Sequence, residues 1–375
     1  MNILFLNRKD ITHPKKGWAE IYLMHLAQEL VFLWHTVSRF SSSYDWAKPH
    51  EVIDWVRIYR KFSIHAIYFV WWTRYRQFIK NENIDIIIDV AWGLPMFAHW
   101  FTSIPVLFSM MHLWDEEWDA YLPFPLSKIG KYCYYFLFWI YRKNHTLTIS
   151  QSSKFDLVDK LWFDSNNISI IEPLWEVQQY IWNIDNLIWS KKNEIIFIGR
   201  LMPIKRVEDA IRAFDIFAQT HSDYIFNIIW GMQDMVYVEK IKKLVSNSNH
   251  WDRMFLRGNV LESEKQNYLE SAKLLLVTSK KEWFGLIVHE ANHCAIPAIG
   301  YDVHGLRDSI KNDINGQLVT DHDIIAIANQ MCIVDSEWYA NICKSSVDYV
   351  QKLDTWEGKW LQLIWLLYKL EYVKK

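Results

Sequence analysis

The sequence predicts an α/β protein built from two Rossmann-like, doubly wound domains that face a central cleft. Three observations carry that prediction. Short runs of Ile, Val, Leu and Phe alternate with stretches of helical periodicity, the pattern of buried parallel strands joined by crossover helices. The series starts twice, at Asn2 and again at Glu194. At 375 residues the chain also exceeds one comfortable core, so two domains are expected, here 1–175 and 190–345, followed by a last helical segment 346–375.

Taken in order, Asn2 to Asn7 reads as a buried strand and Arg8 to Glu20 as a polar loop ending in Gly17-Trp18-Ala19-Glu20. Ile21 to Leu30 has helical periodicity, and Thr36 to Ser41 is a second strand. Asp85 to Val90 and Val106 to Met111 are further strands. The second delivers His112 at its C-terminal end, where doubly wound sheets carry ligand residues. Leu147 to Ser150 closes the first series, with a helix at Ser152 to Leu161 and a linker over Glu172 to Lys192. The second series runs through strands at Glu194–Gly199, Ile225–Ile229, Met254–Leu256 and Leu274–Thr278, with helices at Val207–Ala218 and Val236–Val245. Lys344 to Lys375 reads as one closing helix.

Composition narrows the function classes. Hydrophobic residues at 51% and charged residues at 22% are an ordinary globular balance, and a net charge of −2 gives no case for nucleic acid as a partner. Cys133, Cys294, Cys332 and Cys343 show no metal spacing, so reduced thiols in the cytoplasm are expected. No apolar run reaches the roughly 18 residues of a membrane span. Between Trp55 and Lys80, however, Arg57, Arg60, Lys61, Arg74, Arg76 and Lys80 are interleaved with aromatics and no acid. That segment suits peripheral contact over 57–80 with the inner face of an anionic membrane, or a half-buried helix with a solvated basic side. The apolar run Cys133 to Tyr141 is too short to insert and reads as core or acceptor-side surface.

One stretch, Ser279 to Asp302, carries the chemistry. A polar turn runs into Phe284-Gly285-Leu286 and opens a helix that Pro297 stops, so free backbone N–H groups at the helix mouth can face an anion. Glu282 lies just before that mouth and Glu290 about one turn above Leu286. Carboxylates accept sugar hydroxyls well and repel phosphate, so phosphate at the helix start with hydroxyl-rich rings on either side describes a nucleotide diphosphate sugar. Arg200 and Lys205 stand at the end of the first strand of the second series, an Arg fork and a Lys point charge suited to a departing diphosphate without a metal. A rival reading takes His289-Glu290-Ala291-Asn292-His293 as a zinc HExxH, but no third ligand stands at the extended spacing, where Ile299 is found.

The chain holds 22 Trp and only 11 Gly, against roughly 26 Gly at the usual frequency. Trp18, Trp34, Trp46, Trp55, Trp230 and Trp283 stand where turn chemistry asks for glycine. They read as glycines specified by UGA codons and rendered as tryptophan; UGG at Trp18, Trp34 and Trp283 would end that reading. With tryptophan truly at Trp18 and Trp283, the alternative is a sugar-nucleotide-binding protein without turnover.

The stretches FIGRLMPIKRVEDAIRAF, SKKEWFGLIVHEA, IPAIGYDVHGLRDSI and INGQLV, with GWAEIYL and WHTV near the N-terminus, resemble the family 4 glycosyltransferases of GT-B fold. The likeness runs along most of the chain and is densest over 194–320. It implies a retaining, metal-independent transfer of a hexose from a nucleotide-sugar donor to a glycan or lipid-linked acceptor, as in cell-envelope polysaccharide synthesis, with no other cofactor. By that resemblance Glu282 and Glu290 match the family's Glu-x7-Glu motif, at the donor sugar and the ribose. Arg200 and Lys205 match its diphosphate pair, Gly17 its N-domain loop and His112 its donor-sugar histidine, while Phe284, Gly285 and Leu286 form the phosphate-facing turn. The closing helix resembles one that returns to the first domain. Trp283 departs from the family pattern, and a real indole there would fill the sugar pocket.

Overall fold

The computed structural model describes residues 1–68, 77–91, 93–114, 118, 123–173, 183–231, 234–353 and 356–374. The chain divides into two compact units, one of Met1–Leu174 with Asp354–Lys375 and one of Trp175–Leu353.

In the first unit, β1 (Asn2–Leu6), β2 (Thr36–Ser41), β3 (His50–Ile53), β4 (Val56–Arg60), β5 (Ile86–Ala91), β6 (Val106–Met110), β7 (Thr146–Thr148) and β8 (Ile168–Ile170) form one sheet. Its order is β3-β4-β2-β1-β5-β6-β7-β8, and every pair is parallel except β3 with β4. The central strands β1, β5 and β6 are mostly apolar because both faces are covered, with Asp89 and Ser109 as buried polar exceptions. Leu4, Leu6 and Ile87 pack with Phe40, Ile67 and Ile79, whereas Ala91, Phe108 and Met110 pack with residues of α2 (Leu126–Trp139) and α3 (Gln151–Leu161). Helix α1 (Trp18–Phe32) connects β1 to β2.

The basic stretch expected over 57–80 begins as a sheet strand rather than a membrane-facing helix. Val56, Ile58 and Arg60 are buried and alternate with outward residues, a period-two signal that the density of bases hides. Residues 69–76 of that stretch lie outside the described residues. The Cys133–Tyr141 run forms the second half of α2 and the turn after it. It is both core and surface: Tyr134, Phe138 and Tyr141 are buried, and Phe136 and Trp139 are exposed.

In the second unit all six strands are parallel: β9 (Glu194–Ile198), β10 (Ile225–Ile229), β11 (Met254–Gly258), β12 (Leu274–Val277), β13 (Ala298–Tyr301) and β14 (Gly316–Val319). Their order, β11-β10-β9-β12-β13-β14, is that of a doubly wound dinucleotide-type sheet. The chain leaves β9 and β12 in opposite directions, so the loops after these two neighbours part and leave a crevice at their C-terminal ends. Helices α4 (Ile184–Trp189), α5 (Val207–Phe217), α6 (Met235–Ser246), α7 (Glu262–Ser271), α8 (Leu286–His293), α9 (Leu306–Ser309), α10 (Ile324–Met331) and α11 (Tyr339–Lys352) belong to this unit.

The single closing helix expected from Lys344 is two helices. Helix α11 ends at Lys352, Leu353 turns extended, and α12 (Trp356–Lys374) belongs to the first unit, where it packs on α1 and Lys359 pairs with Glu172 at 3.3 Å.

Among the described residues, three tryptophans adopt the left-handed backbone that side chains resist. Trp34 (φ 64°) follows α1, where the His35 N–H returns to the Leu30 carbonyl, and Trp162 (φ 54°) follows α3, where the Phe163 N–H returns to the Leu157 carbonyl. Both are helix-ending positions that glycine ordinarily fills. Asp54 (φ 48°) and Trp55 (φ 64°) are the two central residues of the β3–β4 hairpin, a turn that favours Asp-Gly. The three indoles are 96%, 82% and 71% exposed at Trp34, Trp55 and Trp162, so they contribute little packing in return for the strain. Trp34→Gly, Trp55→Gly and Trp162→Gly are each expected to stabilise the protein by about 1 kcal/mol. Alanine at the same positions should not, and denaturant midpoints measure the difference. Trp18 and Trp283, by contrast, have no left-handed backbone.

Candidate functional site

The loops at the β9 and β12 ends are tied into one corner of the second unit. After β9 the chain makes a short turn at Pro203–Lys205, with Arg206 left-handed at φ 45°. The Thr278 hydroxyl, just past β12, donates to the carbonyls of Lys205 (3.2 Å) and Arg206 (2.9 Å), and the Lys280 N–H donates to the Ile204 carbonyl at 2.9 Å. Lys205 is thereby set beside Glu282, with which its ammonium forms an ion pair through Oε1. The Ser279 hydroxyl donates to the same Oε1 at 2.6 Å, leaving Oε2 of Glu282 without a hydrogen bond among the described residues.

The backbone of Glu282 is fixed as well. Its N–H donates to the His304 carbonyl at 3.1 Å, and its carbonyl lies against Gly305 (φ 83°), where any side chain would collide with it. Gly285 (φ 81°) then starts α8, with the Ser309 hydroxyl 2.7 Å from where a Cβ would stand. At the start of α8 the Val288 N–H donates to the Gly285 carbonyl at 2.9 Å, which leaves the first amides, those of Leu286 and Ile287, to offer partial positive charge next to Lys205 and Glu282.

Glu290 lies one turn into α8 and is buried, with Lys265 of α7 donating to its Oε2 at 2.8 Å and to Glu262 at 2.5 Å. Burial pushes the Glu290 carboxyl above its usual range, and Lys265 opposes that shift. His289 is buried, and burial holds His293 down at about 4, so His293 is neutral at physiological pH. Among the described residues no group of three His, Cys, Asp or Glu side chains is placed to hold a metal ion, so the HExxH pair gains no third ligand.

Of the predicted site residues, the structure brings Lys205, Glu282, Phe284, Gly285 and Leu286 together, with Glu290 one turn further along the helix. Arg200 stands exposed at the end of β9 with no hydrogen-bonding partner among the described residues. Gly17 and His112 belong to the first unit. The Gly17 N–H is held by the Glu20 carboxylate at 2.6 Å, and His112 is buried just past β6, its ring 6.3 Å from that of Trp114. Three contributors were not singled out from sequence. Ser279 and Gly305 lie within stretches already noted, but Lys265 carries no local signal, since it meets Glu290 only because β12 places α7 beside α8.

Comparison with known proteins bears on both units. A model described as Glycosyltransferase Family 4 matches residues 19–174, and one described as Glycosyl transferases group 1 matches residues 181–334. The chain is 25% identical over 189 residues to a poly(ribitol-phosphate) alpha-N-acetylglucosaminyltransferase of Staphylococcus aureus, an alignment covering 50% of this chain and 36% of that one. It is 29% identical over 150 residues to an N-acetyl-alpha-D-glucosaminyl L-malate synthase of Bacillus anthracis, covering 40% of this chain and 38% of that one. The chain thus spans little more than a third of the length of these relatives. A sucrose-phosphate synthase from Thermosynechococcus elongatus superposes with a TM-score of 0.78 over 100% of both chains at 18% identity. Anabaena HepE, solved in complex with UDP, superposes with a TM-score of 0.76 over 98% of this chain and 100% of its own at 16% identity.

Proposed function

The chain belongs to the family 4 glycosyltransferases and has their GT-B fold, and on that premise we propose that it moves a hexose from a nucleotide diphosphate sugar to a glycan or lipid-linked acceptor. In this reading transfer retains the configuration of the sugar, needs no bound metal, and takes place in the cytoplasm.

One observation carries the proposal: the Lys205 ammonium, the Glu282 carboxylate and the opening amides of α8 share one corner. The diphosphate is held at the helix mouth and by Lys205, with the exposed Arg200 guanidinium available from the same strand end. Glu282, oriented by Ser279 and Lys205, keeps Oε2 for a sugar hydroxyl. Glu290, held in place by Lys265, accepts the ribose hydroxyls. As the bond to the anomeric carbon breaks, negative charge grows on the departing diphosphate, and the fixed ammonium and amides stabilise that charge more than they stabilise the bound donor. The acceptor hydroxyl attacks from the face the diphosphate leaves. For Gly17 and His112 the support is the resemblance alone.

A thermal-shift screen against UDP-, GDP- and ADP-sugars tests the reading, because a donor that binds only the folded state raises the unfolding midpoint. No shift with any sugar nucleotide would end it. A second reading, donor binding without turnover, is favoured by the half-buried indole of Trp283 directly after Glu282. The two separate on Trp283→Gly. That variant is expected to raise the transfer rate roughly ten- to a hundredfold by restoring the sugar's position, and unchanged, negligible turnover in it would favour the binding-only reading.

A further inference from the structure

The turn that carries Lys205 is strained at the residue after it. Arg206 adopts the left-handed backbone at φ 45°, a conformation that residues other than glycine resist. Such a residue persists only where its surroundings over-determine it, and these sites cluster where geometry serves function. Two ties hold its backbone: the carbonyl accepts from the Thr278 hydroxyl at 2.9 Å and from the Asp209 N–H at 3.0 Å. Another holds its side chain. The guanidinium donates from Nη1 to Oδ1 of Asp321 at 2.5 Å, and its carbon stands 5.9 Å from the centre of the Tyr301 ring.

Asp321 comes from far along the chain, in the loop between β14 and α10, and that loop is strained as well. His322 is left-handed at φ 64°. Its side chain is 63% exposed, yet Nδ1 donates at 2.7 Å to Oδ2 of the buried Asp209, which also accepts from the Tyr301 hydroxyl at 2.9 Å. Arg212 lies 3.8 Å from the other oxygen of Asp209. Since Arg206 is the residue that precedes α5 and Asp209 stands in its first turn, the loop after β14 grips the start of α5 at two points. The spacing Asp321-x-Asp323 suggests a cation site, but Asp323 caps α10 by accepting from the Ala326 N–H at 2.9 Å. Asp321 and His322 are spent on the grip, and among the described residues no group of three suitable side chains is placed to hold a metal.

We propose that Asp321 and His322 are positioning residues: the loop after β14 clasps the Arg206 turn and so sets the Lys205 ammonium, one residue before it, where the departing diphosphate needs it. The proposal rests on the diphosphate role given above to Lys205, whereas the clasp itself is read without activity. Without the clasp, less offsets the strain at Arg206, the turn relaxes, and the ammonium leaves its place beside Glu282. A small displacement of a charge that acts on the breaking bond costs rate more than it costs binding.

Amide exchange and steady-state kinetics on the full chain test the two halves separately. The Lys205 and Arg206 N–H groups donate to the Met202 and Pro203 carbonyls at 2.9 and 3.2 Å. In Asp321→Ala and in His322→Gly both should exchange at least about fivefold faster than in wild type. Each substitution is at an exposed position, and His322→Gly eases its own backbone, so it isolates the lost bond to Asp209. Release of nucleoside diphosphate is followed with whichever of UDP-, GDP- and ADP-glucose raises the unfolding midpoint most. There kcat should fall about tenfold in either variant while KM for the donor changes less than about threefold. Arg206→Gly removes the strain that the clasp offsets, so Arg206→Gly/Asp321→Ala should recover kcat to within about twofold of wild type, a rescue that a general loss of stability would not show. In a Lys205→Met background, Asp321→Ala should cost nothing further. Wild-type exchange at Lys205 and Arg206 in both single variants, wild-type kcat in both while Lys205→Met is impaired, or no rescue by Arg206→Gly would overturn the inference and leave the donor-site reading standing. Faster exchange together with wild-type turnover in Lys205→Met would remove the donor-site reading, and the role of the clasp with it.

Discussion

Lys205→Met is expected to lower the rate of sugar transfer by about 10²–10³-fold while leaving the fold intact. The side chain is partly exposed and its backbone is held independently, by Thr278 and by the Lys280 to Ile204 bond, so the loss should not propagate into the core. Two effects act in the same direction. The ammonium that balances a departing diphosphate disappears, and Glu282, whose Oε1 it neutralises, becomes an uncompensated anion next to the phosphate path. Because the charge on the diphosphate grows as the bond breaks, kcat should fall further than donor affinity. Lys205→Met/Glu282→Gln should then lose less than the sum of the two single variants, since both act through one pair. Steady-state kinetics with a donor found by thermal shift measures all three variants. Wild-type turnover in Lys205→Met would remove the assignment of this corner as the donor site.

How much of this was legible in the sequence depends on the range of the interaction. Glu282, Gly285 and Glu290 could be read because a turn, a helix start and one helical turn are local geometry, fixed by a few consecutive residues. The doubly wound pattern was legible for the same reason, since buried parallel strands write themselves as apolar runs. Lys265 could not be read as a partner of Glu290, nor Ser279 as one of two donors on a single oxygen, because strand order is not written in any one stretch. Strand β4 was hidden by its own charges. A run carrying Arg57, Arg60 and Lys61 looks like a surface until Arg60 is seen turned inward. Trp34 and Trp55 were legible as misfits from composition and turn context alone, and the backbone supplies the reason in their left-handed φ. Trp162 stands in the same conformation with only a Leu before it and a Phe after it, so no turn residue gave it away.

The inward turn of Arg60 sets up the largest stability effect expected in the chain. Its guanidinium donates from Nε to Oδ2 of Asp10 at 2.6 Å and from Nη2 to Oδ1 at 3.2 Å, and both side chains are fully buried. Asp10 also accepts from Ser41, from the Thr12 hydroxyl and from the Thr12 N–H. A second guanidinium, that of the fully buried Arg39, feels the charges of Asp10 and Glu20, and burial holds it down at about 10. Arg60 also pairs with Glu51 at 2.5 Å, so Asp10→Ala would leave the buried guanidiniums of Arg60 and Arg39 short of one counter-charge rather than wholly unpaired, at a cost of about 3 kcal/mol. Asp10→Leu/Arg60→Met, which removes both partners and fills the space, should cost much less. The pH dependence has a definite sign. Burial raises the Asp10 carboxyl, but the hydrogen bonds from Arg60, Thr12 and Ser41 outweigh it and hold the group at about 2, below its ordinary 3.8. A carboxyl lowered on folding contributes stability that is complete above the unfolded value and lost as pH falls toward the folded one. Wild-type denaturant midpoints should drop between about pH 4 and pH 2, and the double variant should lack Asp10's share of that drop. The network sits where β1 leads into the loop before Gly17, so Asp10→Ala should also loosen that loop, and faster amide exchange there at neutral pH would register it. Equal stability of Asp10→Ala and wild type would show that the buried pair is not what holds this end of the sheet.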